Sequence, residues 1–312
     1  MIFRYFSDMK AFHIIIFLIF SASYAQQIGD DYYKPFLKNK AYETGQGPIV
    51  YIDEGHQNFH TKEGRYKAFS NLLERDGYRI RSFIGPFTTN RLESGDIMVI
   101  SNALNAINVG NWYVPTPSAF TKKEISILKQ WVENGGSLFL IADHMPMAGA
   151  AEELARAFGF EMTNGFAMDT LQRGPSIFSL ESKTLRKNEI TMGSNSSESV
   201  TEIASFTGQA FTSPPEANPI LVLDEKHVNM LPDTAWVFDG DIEKYNAKGY
   251  HQGAYRTFGN GRIVVFGEAA MFTSQLAGEN RVRFGMSHES ASQNYQLLLN
   301  IVHWLDRRIP DQ

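Results

Sequence analysis

The chain has 312 residues, 43% hydrophobic and 20% charged, the composition of a globular protein long enough to bury a large core. Its net charge of −5 offers no general attraction for a phosphate backbone, so nucleic acid is not an expected partner. It has no cysteine, which excludes disulfides, thiol catalysis and a lipid anchor through an N-terminal Cys.

Residues 1–25 read as a secretory signal peptide. Arg4 and Lys10 flank the start of the apolar run 11–20, and Ser23-Tyr24-Ala25 supplies small residues ahead of a cut before Gln26. The run is too short to span a bilayer well; an uncleaved anchor is the competing reading. The expectation is a soluble periplasmic chain, 26–312, forming a single α/β domain with no membrane span after cleavage. Its oligomeric state is open.

The pattern then alternates. Pro48 to Ile52 reads as a strand ending at Asp53-Glu54-Gly55-His56, and a helix follows from about Glu63 to Arg75 with Thr61 as N-cap. Tyr78–Phe83 and Asp96–Ile100 read as strands. Thr121-Lys122-Lys123-Glu124 is a capping box opening a helix that closes at Asn134-Gly135-Gly136. A buried strand, 137–142, delivers Asp143-His144, and a helix follows over roughly 149–158. Residues 165–235 are less regular, with loops at 194–197 and at Pro214-Pro215 and short antiparallel strands such as 220–223. Gly261–Phe266 resumes the sheet, ending at Gly267-Glu268, and a last helix covers about 290–306. Strands alternating with helices of these lengths predict a doubly wound, mainly parallel α/β sheet with an irregular insertion.

In such sheets ligands bind beyond the carboxyl ends of the strands. Three predicted strand ends carry functional side chains: Asp53 to His60, Asp143-His144, and Glu268. The expectation is that His56, His144 and Glu268 face one pocket as general acid and base, with Asp53 or Asp143 orienting an imidazole. Asp53, Glu54, Asn58, His60, Trp112 and Arg173 are the candidates for holding substrate. Plain structural readings compete at each: Asp143 as a helix cap, His144 and His60 as ordinary histidines, Asp53 and Glu54 as turn acceptors, Arg173 as a surface residue. His56-x3-His60 has a spacing seen in zinc sites, but it lies on a Gly-containing loop, so no metal is expected. No nicotinamide-binding Gly-x-Gly-x-x-Gly occurs, and no cofactor is expected. Neither Gly174-Pro175-Ser176 nor Gly193-Ser194 forms a Gly-x-Ser-x-Gly elbow.

The segments 51–60, 135–160, 163–167, 261–278 and 293–305 carry a resemblance that covers most of the chain after residue 25. They resemble a cysteine-less bacterial branch of the class I glutamine-amidotransferase-like superfamily, which implies a flavodoxin-like fold. Amidotransferases of that superfamily place a nucleophilic Cys at a strand-to-helix elbow. Here the elbow after 137–142 reads Ala142-Asp143-His144, so glutamine hydrolysis through a thioester is excluded. The branch is similar to proteins of polysaccharide-degrading systems, and the resemblance extends to an ulvan-oligosaccharide dehydratase. That implies an acidic oligosaccharide substrate and loss of water from a non-reducing-end uronic acid. A metal-assisted esterase or lactonase and a non-catalytic carbohydrate-binding module are the alternatives.

Overall fold

The computed structural model describes residues 27–311 apart from 172 and 173. The proposed signal peptide and Arg173 lie outside the described residues. Nine strands form the main sheet: β1 (Ile49–Asp53), β2 (Arg79–Phe83), β3 (Ile97–Ser101), β4 (Ser137–Ile141), β5 (Glu161–Met162), β6 (Phe211–Thr212), β7 (Asn218–Val222), β8 (His251–Phe258) and β9 (Gly261–Phe266). Their order is β2-β1-β3-β4-β9-β8-β6-β5, with β7 also paired to β8. The first five strands in that order are mutually parallel, and β8 turns antiparallel against β9. The expected α/β sheet is present, with strands from both ends of the chain side by side.

Alternation along the strands explains why helices cover both faces. In β3, Ile97 and Val99 point into one apolar layer while Met98 and Ile100 point into the other. Strands β4 and β9 divide in the same way: Phe139, Ile141, Val264 and Phe266 on one side, Leu138, Leu140, Ile263 and Val265 on the other. The first layer is closed by helices α1 (Lys67–Arg75) and α4 (Asn294–Leu305), the second by α2 (Lys122–Glu133) and α3 (Met147–Arg156). Each fully buried Leu or Phe in these layers contributes about 1.5–3 kcal/mol of transfer free energy.

Most boundaries fall within two residues of expectation, and the capping box of α2 is formed in both directions. Two helix starts are exceptions. Helix α4 opens at Asn294 instead of near 290, and helix α1 begins at Lys67 instead of near Glu63, with Tyr66 before it lacking a side-chain cap. The Thr61 carbonyl instead accepts from Gly64 and Tyr66 in a turn. That turn places the Tyr66 ring, fully buried, flat against His60, 4.6 Å between centroids. Strand β8 is the one long strand that the sequence pattern does not predict.

Two small sheets flank the carboxyl ends of the parallel strands. In one, Ser274–Ala277 pairs with Gln27–Gly29 on one side and Val282–Gly285 on the other. In the other, His227–Leu231 lies between Phe166–Asp169 and Glu243–Asn246. Among the described residues no helix is long and apolar enough to cross a membrane.

Candidate active site

The ends of β3, β4 and β9 and the loop after β1 open into a cavity of about 410 Å³. Its lining includes His60, Asn102, Asp143, His144 and Glu268, with Arg65 and Gln275 on the side of the small N-terminal sheet and Phe59, Trp112 and Trp236 at its mouth. This is the carboxyl-terminal crevice of the parallel sheet.

His144 is held on every side but one. Its ring stacks on Phe166 at 4.2 Å and 14°, and Trp236 meets it edge-on at 4.8 Å. Nδ1 lies 2.7 Å from the carbonyl oxygen of Met145, which can only accept, so Nδ1 carries the proton. Nε2, the ring's other nitrogen, faces the cavity with no hydrogen-bond partner among the described residues, so in the neutral tautomer its lone pair is the one left free. Asp143 does not cap α3. Its Oδ1 accepts from the backbone of His144, and its own N–H is received by the Asn102 side chain at 2.9 Å. Asn102 stands at the tip of β3 with φ of 48°, a left-handed conformation that Asn tolerates better than most residues.

Glu268 is completely buried beside this group. Burial, and then the charge of Asp143, push its carboxyl well above the usual carboxylate range; N–H groups of Met271, Ala270 and Phe206 pull the other way. Burial and the neighbouring carboxylate of Asp143 thus both favour the protonated form of Glu268. Gly208 makes the packing possible: at φ of +121° it brings its Cα to a place where a Cβ would lie 2.4 Å from the Gly267 carbonyl and 2.9 Å from the Glu268 Cβ.

His60 lines the cavity with its Nδ1 3.2 Å from the Ser101 hydroxyl, and burial, then the charge of Arg65, lower its pKa to about 3, so it is neutral. Arg65 supplies the cavity's cation. Its Nη1 donates to Gln27 and Gln275, both at 2.7 Å, and the guanidinium lies over the Phe59 ring at 4.3 Å. It forms no ion pair among the described residues. Burial lowers its pKa, yet a guanidinium stays charged through the physiological range. Nothing about Arg65 in the sequence set it apart from other arginines.

The expected triad of His56, His144 and Glu268 is therefore not assembled. His144 and Glu268 share the cavity; His56 does not line it. The His56 ring is clamped between Phe87 and Phe120 at 4.5 and 4.7 Å. Its Nδ1 is 2.9 Å from both oxygens of Asp53, and its Nε2 is 3.1 Å from Glu124. Burial lowers its pKa, but hydrogen bonds and charge from Asp53 and Glu124 outweigh that and leave it raised. With a carboxylate at each nitrogen, His56 is an imidazolium that fastens the loop after β1 to the start of α2. Glu124 is held below its usual range: burial opposes this, while Thr121 and then His56 bring it about.

The substrate candidates divide likewise. Asp53 is fully buried and spent on His56, Asn58 and the Gly55 N–H. Asn58 donates to Asp53 and to the Ser101 carbonyl, and Glu54 accepts from the Lys62 N–H and the Ser82 hydroxyl. Glu54 and Asn58 border a neighbouring groove instead of the cavity, whereas Trp112 borders both. Among the described residues no group of three His, Asp or Glu side chains is arranged to hold a metal ion.

Trp236 had no signal in the irregular middle of the chain. Its φ of 66° is a left-handed conformation that costs a bulky residue of order 1 kcal/mol or more, and such strain gathers at functional sites.

No known protein family's sequence profile matches the chain, and no curated protein matches it in sequence. Solved structures do. The mmIFT52 N-terminal domain superposes with a TM-score of 0.58 at 13% identity, covering 82% of this chain and 97% of that one. A ThuA-like protein from Bacteroides uniformis gives 0.45 at 12%, covering 88% and 95%. A GMP synthase protein from Thermoplasma acidophilum gives 0.41 at 11%, covering 81% and 92%. At 13% identity the likeness to the first of these is one of fold, a shared layered α/β arrangement, and the site stands on its own residues.

Proposed function

We propose that this protein is an exported, carbohydrate-processing carbon–oxygen lyase that removes water from the terminal uronic acid of an acidic oligosaccharide. One observation carries the reading. His144 presents an unpartnered Nε2 in a cavity that also holds Glu268, whose protonated form is favoured by burial and by Asp143, and a guanidinium with no carboxylate partner among the described residues. Each feature has a task in that reaction. Arg65 binds the uronate carboxylate and stabilises the negative charge that gathers on it as the neighbouring carbon is deprotonated. His144 Nε2 takes the C5 proton, the C5 electron pair forms the C4–C5 double bond, and the C4–O bond breaks. The hydroxyl leaves as water with a proton from the Asp143–Glu268 pair. His144 returns its proton to the pair or to solvent, and the balance is one unsaturated uronate and one water.

The hydrophobic walls serve the same end. Phe166, Trp112 and Trp236 keep bulk water from the imidazole and strengthen the charge interactions. The test is incubation with uronate-ended oligosaccharides, following the ultraviolet absorbance of the conjugated product and its mass. Loss of one water with rising absorbance supports elimination. Release of a saturated sugar without that absorbance moves the assignment to hydrolysis by the carboxyl pair.

A further inference from the structure

A second depression of about 1200 Å³ adjoins the cavity. The two share Phe59, Trp112 and Trp236, so the same rings form the cavity's mouth and the groove's wall. The groove continues past Tyr113 and Val109, which are 51% and 49% exposed. Apolar surface of this size on one face needs an occupant.

The platform is built, not incidental. The Asn108 side-chain amide, itself buried, donates to the carbonyls of Asn111, Tyr113 and Pro115 and so pins the loop that carries Trp112 and Tyr113. That loop is joined to the Trp236 loop through backbone bonds from Val114 to Asp233 and from Ala235 to Trp112, at 2.9 and 2.8 Å. The aromatic faces are thereby fixed before any ligand arrives, which lowers the ordering cost of binding. Between the rings the lining is amide and hydroxyl: Gln57, Asn58, Asn111 and Thr234. Among the described residues that line it, the single charge is the carboxylate of Glu54.

We infer that the groove holds the glycan residues that follow the terminal uronate, and that those residues are uncharged. Aromatic faces meet the apolar C–H faces of sugar rings, and amides meet their hydroxyls. Arg65, in the cavity, takes the one carboxylate; a groove whose described lining has no cation and one carboxylate repels sulfate or further uronate groups. The inference rests on the proposed reading of the cavity and adds chain length and charge pattern to it. The enzyme thus acts from the chain end, the small cavity admitting one terminal residue and the long groove its successors.

The experiment compares a uronate-ended disaccharide with a hexasaccharide of the same end and uncharged interior, using wild type, Tyr113→Ala and Tyr113→Phe. Turnover gives kcat/KM, and fluorescence of Trp112 and Trp236 gives binding. The hexasaccharide is expected to be preferred. Tyr113→Ala should cut that preference by about tenfold, the scale of one well-packed aromatic contact, and Tyr113→Phe should retain it. An interior-sulfated hexasaccharide should bind more weakly than its unsulfated counterpart; tighter binding overturns the charge pattern. If disaccharide and hexasaccharide turn over equally and Tyr113→Ala changes nothing, the groove inference fails while the cavity reading stands. If neither is turned over, but the hexasaccharide binds more tightly and Tyr113→Ala removes the difference, the groove stands and the chemistry fails. If neither sugar is turned over or bound, both fall.

Discussion

Replacing His56 with Ala separates a structural histidine from a catalytic one. The change leaves two carboxylates in place, Asp53 at 0% exposure and Glu124 at 9%, without the cation between them. Asp53 keeps the Gly55 N–H and the Asn58 amide, and Glu124 keeps Thr121 and the Phe87 N–H, so neither is wholly stranded. Breaking one side of a buried ion pair typically costs about 3–5 kcal/mol, to which the lost packing between Phe87 and Phe120 adds. In a chain of this length that lowers Tm by on the order of 10 °C. The pH dependence follows from the raised pKa of His56. A group raised in the folded state stabilises fully below its unfolded value, ordinarily about 6.5, and loses that contribution as pH rises through the folded value. The gap in Tm between wild type and His56→Ala is therefore widest near pH 6 and narrows on the alkaline side. Circular-dichroism melts at pH 6 and on the alkaline side measure it. Equal melting temperatures at pH 6, accompanied by lost turnover, would refute the reasoning and return His56 to the chemistry.

Arg65→Met should leave Tm nearly unchanged and lower kcat/KM for a uronate-ended sugar at least roughly thirty-fold, since an unpaired buried anion costs about 2 kcal/mol or more; an unchanged KM in steady-state assays would remove Arg65 from carboxylate binding. Gly208→Ala should cost about 1–3 kcal/mol in chemical denaturation and reduce turnover as well, because the new Cβ meets the Gly267 carbonyl and the Glu268 Cβ; wild-type stability would contradict the packing described. Ser176→Ala should retain full activity. Ser176, His227 and Asp224 form a hydrogen-bonded series, 3.3 and 2.8 Å, with the residue types of a serine hydrolase, and a dead Ser176→Ala enzyme would place the chemistry there.

Much of the sheet was legible because its strands are unbroken apolar runs closed by Gly, Asp or Asn, the signature of strands buried on both faces. Strand β8 escaped because Gly253 and the polar Arg256 and Thr257 interrupt its apolar pattern, although its partner β9 follows it directly as a hairpin. The site was legible only in part. His56 and His144 carry the same signal, a histidine just beyond a buried strand. Their fates differ because Phe87, Phe120 and Glu124 enclose one ring while Phe166 and Trp236 leave Nε2 of the other unpartnered. Those neighbours lie some 20 to 90 residues away, where local pattern has no reach. Arg65 and Asn102 gained their places through the turn before α1 and the left-handed tip of β3, both tertiary outcomes.

The central claim is that His144 Nε2 takes the proton. His144→Phe keeps a ring on Phe166 and removes that nitrogen. The measurement is the rate of unsaturated-uronate formation by His144→Phe and wild type, with melting curves recorded on the same samples. The account predicts a rate lower by about 10²–10⁴-fold at a Tm within a few degrees of wild type. An undiminished rate from a folded His144→Phe protein would contradict it.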